Sequence, residues 1–152
     1  DGDTVAFLGD SITAGSGNLG TAPCAEALAS TSHSRSYGNL LCDAFAANCS
    51  FTAYSGKGLY ENCCDSPPFS GETMPGYARS TFGGVEWGPM DWDAASFVPD
   101  AVLINLGTND MGHGHDTGPA WEANFTGTYL AFLANLTATR AGGSKALPLF
   151  GL

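Results

Sequence analysis

Short apolar runs, each followed by small polar residues, constrain this chain more than any other feature. Val5 to Leu8 is an unbroken apolar run. It is too short for a helix and has the length of a strand buried on both faces. Residues 101–106 form a second apolar run, and residues 51–54 are a third candidate strand. These runs predict the central strands of a buried sheet.

A helix is predicted between the first two strands along the chain. From Ser36 onward, apolar residues recur at helical spacing and should place one helix face on the sheet; they are Tyr37, Leu40, Leu41, Ala44 and Phe45. This helix should end near Asn48. The strand–helix–strand order predicts a parallel sheet with right-handed crossovers.

Polar residues follow each predicted strand. Ser11 comes two residues after Gly9, Ser-Gly-Lys-Gly occupies 55–58, and Gly-Thr-Asn-Asp occupies 107–110. In an open α/β sheet, ligands bind beyond the carboxyl ends of the strands. We therefore expect a serine, a glycine and an asparagine at one edge of one sheet.

These motifs resemble those of the SGNH, or GDSL-type, hydrolase superfamily. Its first motif reads Gly-Asp-Ser, here 9–11, and its third reads Gly-x-Asn-Asp, here 107–110. The longer segments 9–15, 53–60, 74–75 and 99–110 are similar to carbohydrate esterase family two, the endoglucanase-E-like branch. The resemblance implies a three-layer α/β/α sandwich around a parallel sheet of the flavodoxin-like kind.

The resemblance also implies roles for three residues. Ser11 would be the nucleophile, and the oxyanion donors would be the main-chain N–H groups of Ser11 and Gly56 and the side-chain amide of Asn109. Glycine lets the main chain approach an oxyanion closely, and an asparagine amide donates without adding charge. The alternatives are that Gly56 only turns the chain and that Asn109 only caps a loop.

The general base is the part of the machinery that the motifs do not supply. A serine hydroxyl needs a neighbouring base, and the resemblance implies a histidine in a later Asp-x-x-His motif. The sequence has this spacing once, at 110–113, but there it overlaps the Gly-x-Asn-Asp motif, so neither His113 nor His115 lies at the late position implied for the base. We therefore expect residues 1–152 to be the N-terminal portion of a single SGNH domain. A missing C-terminal segment, or a second polypeptide carrying the histidine and a pairing cysteine, would complete it.

Several loops are candidates for the substrate side. The glycine-rich loop 14–20 either passes close to a ligand or is a plain flexible loop. The irregular segment 61–98 is interpreted as a substrate-side loop, in which Trp87 and Trp92 could stack on a sugar or simply pack. Asp10 is a further substrate-side candidate. The His-x-His-Asp cluster at 113–116 is interspersed with Gly112 and Gly114 in an apparent loop. No further ligand has suitable spacing, so neither a metal nor any other cofactor is expected.

Charge, cysteines and glycosylation motifs indicate where the protein works. The net charge of −10 disfavours nucleic acid and anionic membranes as partners, and no apolar run reaches the length of a membrane span. Five cysteines and three Asn-x-Ser/Thr motifs favour a secreted, disulfide-bonded glycoprotein; the motifs begin at Asn48, Asn124 and Asn135. Cys42 and Cys49 could close a small loop.

The last part of the chain predicts a long helix and a fourth strand. The helix opens at Pro119, and its buried stripe would consist of Trp121, Phe125, Tyr129, Phe132, Leu133 and Leu136. Asn124 and Asn135 would lie off that stripe, where glycans are tolerated. The strand would begin at Ala146.

Together these features predict a secreted serine esterase without a cofactor. Its expected partner is an acetylated polysaccharide or oligosaccharide, deacetylated through an acyl-enzyme on Ser11. One alternative is a hydrolase of lipids or other carboxylic esters at the same site. The other is a carbohydrate-binding protein that keeps the site but lacks the base.

Overall fold

The described strands form one parallel sheet. The computed structural model describes residues 2–21, 28–63, 71–79, 93, 96–112, 117–140 and 148–151. In this part of the chain the sheet has the order β2-β1-β3-β4, and all its pairings are parallel. Its strands are β1 (Thr4–Gly9), β2 (Asn48–Ala53), β3 (Ala101–Asn105) and β4 (Leu149–Gly151). The predicted parallel sheet is confirmed.

The helices of the described residues differ greatly in length. They are α1 (Ser11–Ala14), α2 (Tyr37–Phe45), α3 (Met74–Tyr77), α4 (Thr108–Met111) and α5 (Pro119–Arg140). Single 3₁₀ turns lie at Leu28–Ser30 and His33–Arg35. The short helices α1 and α4 occupy the positions directly after β1 and β3. They therefore begin at the edge where the sequence predicts the site.

The two faces of the sheet carry different helices, as a three-layer sandwich requires. Successive residues of a strand point to opposite faces. Ala6 and Leu8 of β1 belong to the main buried cluster, which also contains Phe132 and Leu136 of α5. Phe7 points the other way and stacks on Phe51 of β2, with ring centroids 4.8 Å apart. Helix α2 packs on that second face.

Helix α2 contacts the sheet differently from the prediction. Its close contact is made by Gly38, where an added Cβ would lie 2.5 Å from the ring of Phe51. Leu40 is 58% exposed and Phe45 is 74% exposed, so these two residues of the predicted apolar face do not lie on the sheet. The reason is that the helix approaches the sheet through its first turn. An apolar groove of about 470 Å³ is left among β1, β3, β4 and the end of α2.

Element boundaries around β2 also differ from the prediction. Helix α2 ends at Phe45, because Ala46 adopts a left-handed conformation with φ 50°. Strand β2 consequently begins at Asn48, three residues before the predicted start at Phe51. The predicted loop closure is confirmed, since Cys42 and Cys49 form a disulfide. Cys63 is disulfide-bonded as well.

The long helix matches its prediction. Phe132 and Leu136 of α5 are buried, and the other members of the predicted stripe are partly buried. At 22 residues, α5 is the longest described helix. Neither α5 nor any other described helix is long and apolar enough to cross a membrane. Trp87, Trp92, His113, His115 and Ala146 lie outside the described residues.

Candidate active site

The strand ends of the sheet bring the three motifs to one edge. Gly9 of β1 lies in register with Ala53 of β2 and with Asn105 of β3. The chain leaves β1 toward β2 on one side and returns as β3 on the other side. Such a reversal of strand order opens a crevice beyond the carboxyl ends of the strands. Ser11 and Asn109 follow the two strands that border this crevice.

Ser11 opens helix α1 in a sharp strand-to-helix turn. Asp10 is the N-cap residue, and its Oδ1 accepts a hydrogen bond of 2.9 Å from the N–H of Ile12. The turn is tied to α2, because the hydroxyls of Thr13 and Tyr37 lie 3.0 Å apart. Among the described residues, the Ser11 hydroxyl makes no hydrogen bond. It is therefore available to a substrate and a base.

Asn109 connects the other two motifs. Its side-chain amide donates to Oδ2 of Asp10 at 3.3 Å and to the carbonyl oxygen of Lys57 at 2.8 Å. Asp10 precedes Ser11 and Lys57 follows Gly56, so one amide links the neighbours of both residues. Both N–H donors of the amide are engaged in these bonds. Donation to an oxyanion would replace one of them, and the longer bond to Asp10 is the weaker of the two.

Gly56 turns the chain directly after β2. Its φ of +81° lies in the left-handed region, and an added Cβ would be 3.1 Å from the sulfur of Cys63. Its carbonyl oxygen accepts from the N–H of Cys63 at 3.0 Å. Within the described part of the chain, the N–H groups of Ser11 and Gly56 find no acceptor. Two main-chain donors are thus left for a ligand.

Lys57 is buried beside this turn. Its ammonium group donates to the carbonyl oxygen of Glu72 at 2.5 Å and lies 6.0 Å and 5.9 Å from the ring centroids of Tyr54 and Tyr77. These contacts tie the end of β2 to α3. Burial raises the pKa of Tyr77, and electrostatic repulsion from Tyr54 raises it further.

Asp10 is placed differently from the expected substrate-side position. Its side chain is fully buried, and both carboxylate oxygens accept hydrogen bonds from the protein. Burial is the largest influence on its pKa and raises it, the hydrogen bond from Ile12 lowers it, and the charge of Asp110 raises it. Asp10 therefore supports the site from inside the protein.

The glycine-rich loop lies against the end of β2. The hydroxyls of Ser16 and Ser55 are 2.9 Å apart, and the N–H of Ser16 donates to the carbonyl oxygen of Ser11 at 2.9 Å. This loop therefore borders the candidate site. Asp110 received no role from the sequence, although it ends the Gly-x-Asn-Asp motif; the structure buries it completely beside Asn109.

The asparagines of the three glycosylation motifs take no part in the contacts described above. Asn48, Asn124 and Asn135 are all exposed, and glycosylation at them stays a prediction. Among the described residues, no group of three or more His, Cys, Asp and Glu side chains is placed to hold a metal ion.

Comparisons with known proteins agree with the motifs. The model of the GDSL-like lipase/acylhydrolase family matches residues 7–150. The cellulase/esterase CelE of Acetivibrio thermocellus is 34% identical over 109 residues, which are 70% of this chain and 12% of that protein.

Solved structures give the same result. A family two carbohydrate esterase with a carbohydrate-binding domain, from Myceliophthora fergusii, superposes with a TM-score of 0.80 at 31% identity, over 99% of this chain and 45% of that one. A family two carbohydrate esterase from Clostridium thermocellum, solved with cellohexaose, superposes with a TM-score of 0.81 at 24% identity. The match covers 98% of this chain and 42% of that one.

The chain spans less than half the length of these relatives. The comparisons give no support to the expected second polypeptide. The resemblance to family two carbohydrate esterases and the predicted fold are both confirmed. Because the family model matches nearly the whole chain, the protein belongs to the GDSL-like lipase/acylhydrolase family.

Proposed function

We propose that this protein is a serine esterase that removes acetyl groups from a polysaccharide or oligosaccharide. The observation that carries the proposal is the bridge made by Asn109, whose amide joins Asp10 to the main chain of Lys57. The bridge brings the residues beside Ser11 and Gly56 together at the crevice between β1 and β3. An ester carbonyl bound there would meet a hydroxyl and main-chain N–H donors.

The reaction would proceed in two steps. The Ser11 oxygen bonds to the ester carbonyl carbon while a base takes the hydroxyl proton, and the carbonyl oxygen becomes an oxyanion. Collapse of this intermediate breaks the bond to the sugar oxygen, which leaves with the proton from the base. Water then attacks the acetyl-Ser11 ester in the same way and releases acetate and the free serine.

The oxyanion would be stabilised by the N–H groups of Ser11 and Gly56 and by the amide of Asn109. Asn109 would exchange its long hydrogen bond to Asp10 for one to the oxyanion. Each such donor contributes on the order of 100- to 1,000-fold to kcat. The family resemblance implies that the base is a histidine, and its position in the protein stays a prediction.

The substrate class is inferred from the relatives. The similar solved structures are carbohydrate esterases, one of which was solved with a cellulose oligosaccharide, and CelE is named a cellulase and esterase. An acetylated carbohydrate is therefore the proposed substrate. The family model also covers lipases, so a lipid or other carboxylic ester at the same site is the second candidate.

The protein is further proposed to work outside the cell. The Cys42–Cys49 disulfide is of a kind that persists in oxidising compartments. The asparagines of all three glycosylation motifs are exposed, so a glycan could be attached without unfolding.

Labelling with a serine-directed organophosphonate tests the proposal on the full-length protein. We expect a covalent adduct on Ser11, found by peptide mass spectrometry, and none in Ser11→Ala. Absence of labelling on folded wild-type protein would overturn the esterase proposal and favour a carbohydrate-binding protein. Faster hydrolysis of an acetylated oligosaccharide than of a long-chain acyl ester supports the first substrate class, and the reverse order supports the second.

A further inference from the structure

Asp110 places a buried carboxylate at the centre of the loop that follows Gly56. The side chain is fully buried. Its Oδ2 accepts from the N–H of Leu59 at 2.8 Å, and its Oδ1 accepts from the N–H groups of Tyr60 at 2.6 Å and Glu61 at 2.9 Å. Three successive main-chain donors thus surround one side chain.

Further hydrogen bonds connect this ring of donors to Gly56. The N–H of Gly58 donates to Oδ1 of Asn62 at 3.1 Å, and the N–H of Cys63 donates to the carbonyl oxygen of Gly56 at 3.0 Å. Residues 56–63 therefore form one closed loop, which we name the Gly56 loop. Asp110 holds it from inside.

Asp110 and Asn109 hold the same loop from one turn of helix α4. Asn109 donates to the carbonyl oxygen of Lys57, and Asp110 accepts from the three N–H groups that follow. Hydrogen bonds to an ionised carboxylate are stronger than those between neutral groups. If the carboxylate is removed, three main-chain donors lose their acceptor inside the protein, which is costly.

We infer that Asp110 is a positioning residue for the proposed esterase reaction, acting by holding the Gly56 N–H and the Asn109 amide in place relative to Ser11. This inference rests on the function proposed above. An oxyanion site works because its donors are oriented before the charge develops. A carboxylate that fixes the Gly56 loop and belongs to the same helical turn as Asn109 supplies that orientation.

The test compares Asp110→Asn with Asp43→Asn, which changes an exposed carboxylate of α2. An asparagine offers only one acceptor oxygen, and its NH₂ group would face a main-chain donor. For an acetyl ester we expect kcat to fall on the order of 100-fold in Asp110→Asn, as expected for a misplaced catalytic group. KM should change less than about threefold, since acetyl ester binding does not require the developing charge.

Three further measurements separate positioning from a loss of folding. The thermal midpoint of each variant is measured first, and the activity assay is run well below it. The pH at half-maximal kcat is measured next, and we expect it to stay unchanged because the base is untouched. Amide hydrogen exchange at residues 59–61 should become faster in Asp110→Asn and not in Asp43→Asn. Should Asp110→Asn fail to fold, Asp110→Glu takes its place, because it keeps the acceptor charge but displaces the loop.

The two proposals fail in distinguishable ways. Wild-type protein that neither reacts with the organophosphonate nor hydrolyses acetyl esters would overturn the esterase proposal, and this inference with it. Wild-type protein that is active, with a folded Asp110 variant whose kcat lies within about threefold of that of Asp43→Asn, would overturn this inference alone. A lower kcat with a matching rise in KM would also overturn it, because it would indicate a role in substrate binding.

Discussion

The carboxylate of Asp10 links the turn before Ser11 to the helix that carries Asn109. It caps α1 with one oxygen and accepts from Asn109 with the other. The same side chain is fully buried, and its burial raises its pKa from the ordinary value of 3.8. The site therefore depends on a carboxylate that the protein desolvates.

The raised pKa of Asp10 predicts a pH-dependent stability. Between pH 3.8 and the higher pKa of the folded state, the folded protein binds more protons than the unfolded chain. The contribution of Asp10 to the free energy of unfolding should therefore decrease as pH rises through this window and stay constant above it. Asp10→Asn removes this dependence while keeping a cap acceptor.

Urea denaturation of wild type and Asp10→Asn at several pH values measures this effect. We expect the wild type to lose more free energy of unfolding than the variant as pH rises above 3.8. A difference between the two proteins that is independent of pH across the window would contradict a raised pKa.

Gly56→Ala tests the turn after β2. The φ of +81° disfavours any residue with a Cβ, and that atom would press on the sulfur of Cys63. The free energy of unfolding should fall by about 1–2 kcal/mol, and esterase activity should fall further because the Gly56 N–H is moved. The control is Gly127→Ala in α5, where nothing lies within 4 Å of an added Cβ. Gly127→Ala should raise the free energy of unfolding by about 0.5–1 kcal/mol, measured by thermal or urea denaturation.

At the scale of elements, helix α2 and strand β2 form a unit closed by a disulfide. The chain turns between them within two residues, Ala46 and Ala47, and Cys42–Cys49 joins the two elements across a sequence separation of 7. The contact of α2 with the sheet is concentrated at Gly38 near its start. The disulfide therefore holds the far end of the helix at the beginning of the strand.

Replacing both Cys42 and Cys49 by alanine should lower the free energy of unfolding by about 2–3 kcal/mol, the loop-closure contribution for so short a loop. Urea denaturation under non-reducing conditions measures it with the Cys63 disulfide intact. Activity should stay within about twofold at temperatures where the variant is folded, since the site lies at the opposite ends of the strands. A decrease in the free energy of unfolding below about 0.5 kcal/mol would contradict the presence of the Cys42–Cys49 disulfide in solution.

At the scale of the whole molecule, the two faces of the sheet are packed unequally. The face toward α5 holds the main buried cluster, including Phe132 at 4% exposure. The face toward α2 leaves an apolar groove, and Phe45 at its rim is 74% exposed. Most of the stability should therefore come from the α5 side.

Two phenylalanine substitutions compare the faces. Phe132→Ala should cost about 3–5 kcal/mol of unfolding free energy, because it leaves a cavity in the core. Phe45→Ala, the matched change on the other face, should cost less than about 1 kcal/mol. Equal losses in urea denaturation would contradict the unequal packing.

Much of the fold could be predicted from local patterns. The apolar runs predicted the strands, and the spacing after Pro119 predicted α5. Cys42 and Cys49 flank the predicted helix end and strand start, which indicated that they could close a small loop. The apolar pattern of α2 indicates which face of the helix turns toward the sheet, but it carries no information on the tilt of the helix. Gly38 brings only the first turn of α2 close to the sheet. Boundaries shifted for a similar reason, since the left-handed Ala46 ends the helix early.

The sequence by itself determined the strands, the order of the motifs and the edge to which they lead, because these depend on short-range periodicity and on parallel strands ending together. Only the tertiary structure decided how Asp10, Asn109 and Asp110 are used. Each has contacts at least 49 positions away along the chain. Hydrogen bonds over such separations exist only once the sheet has brought its strand ends together.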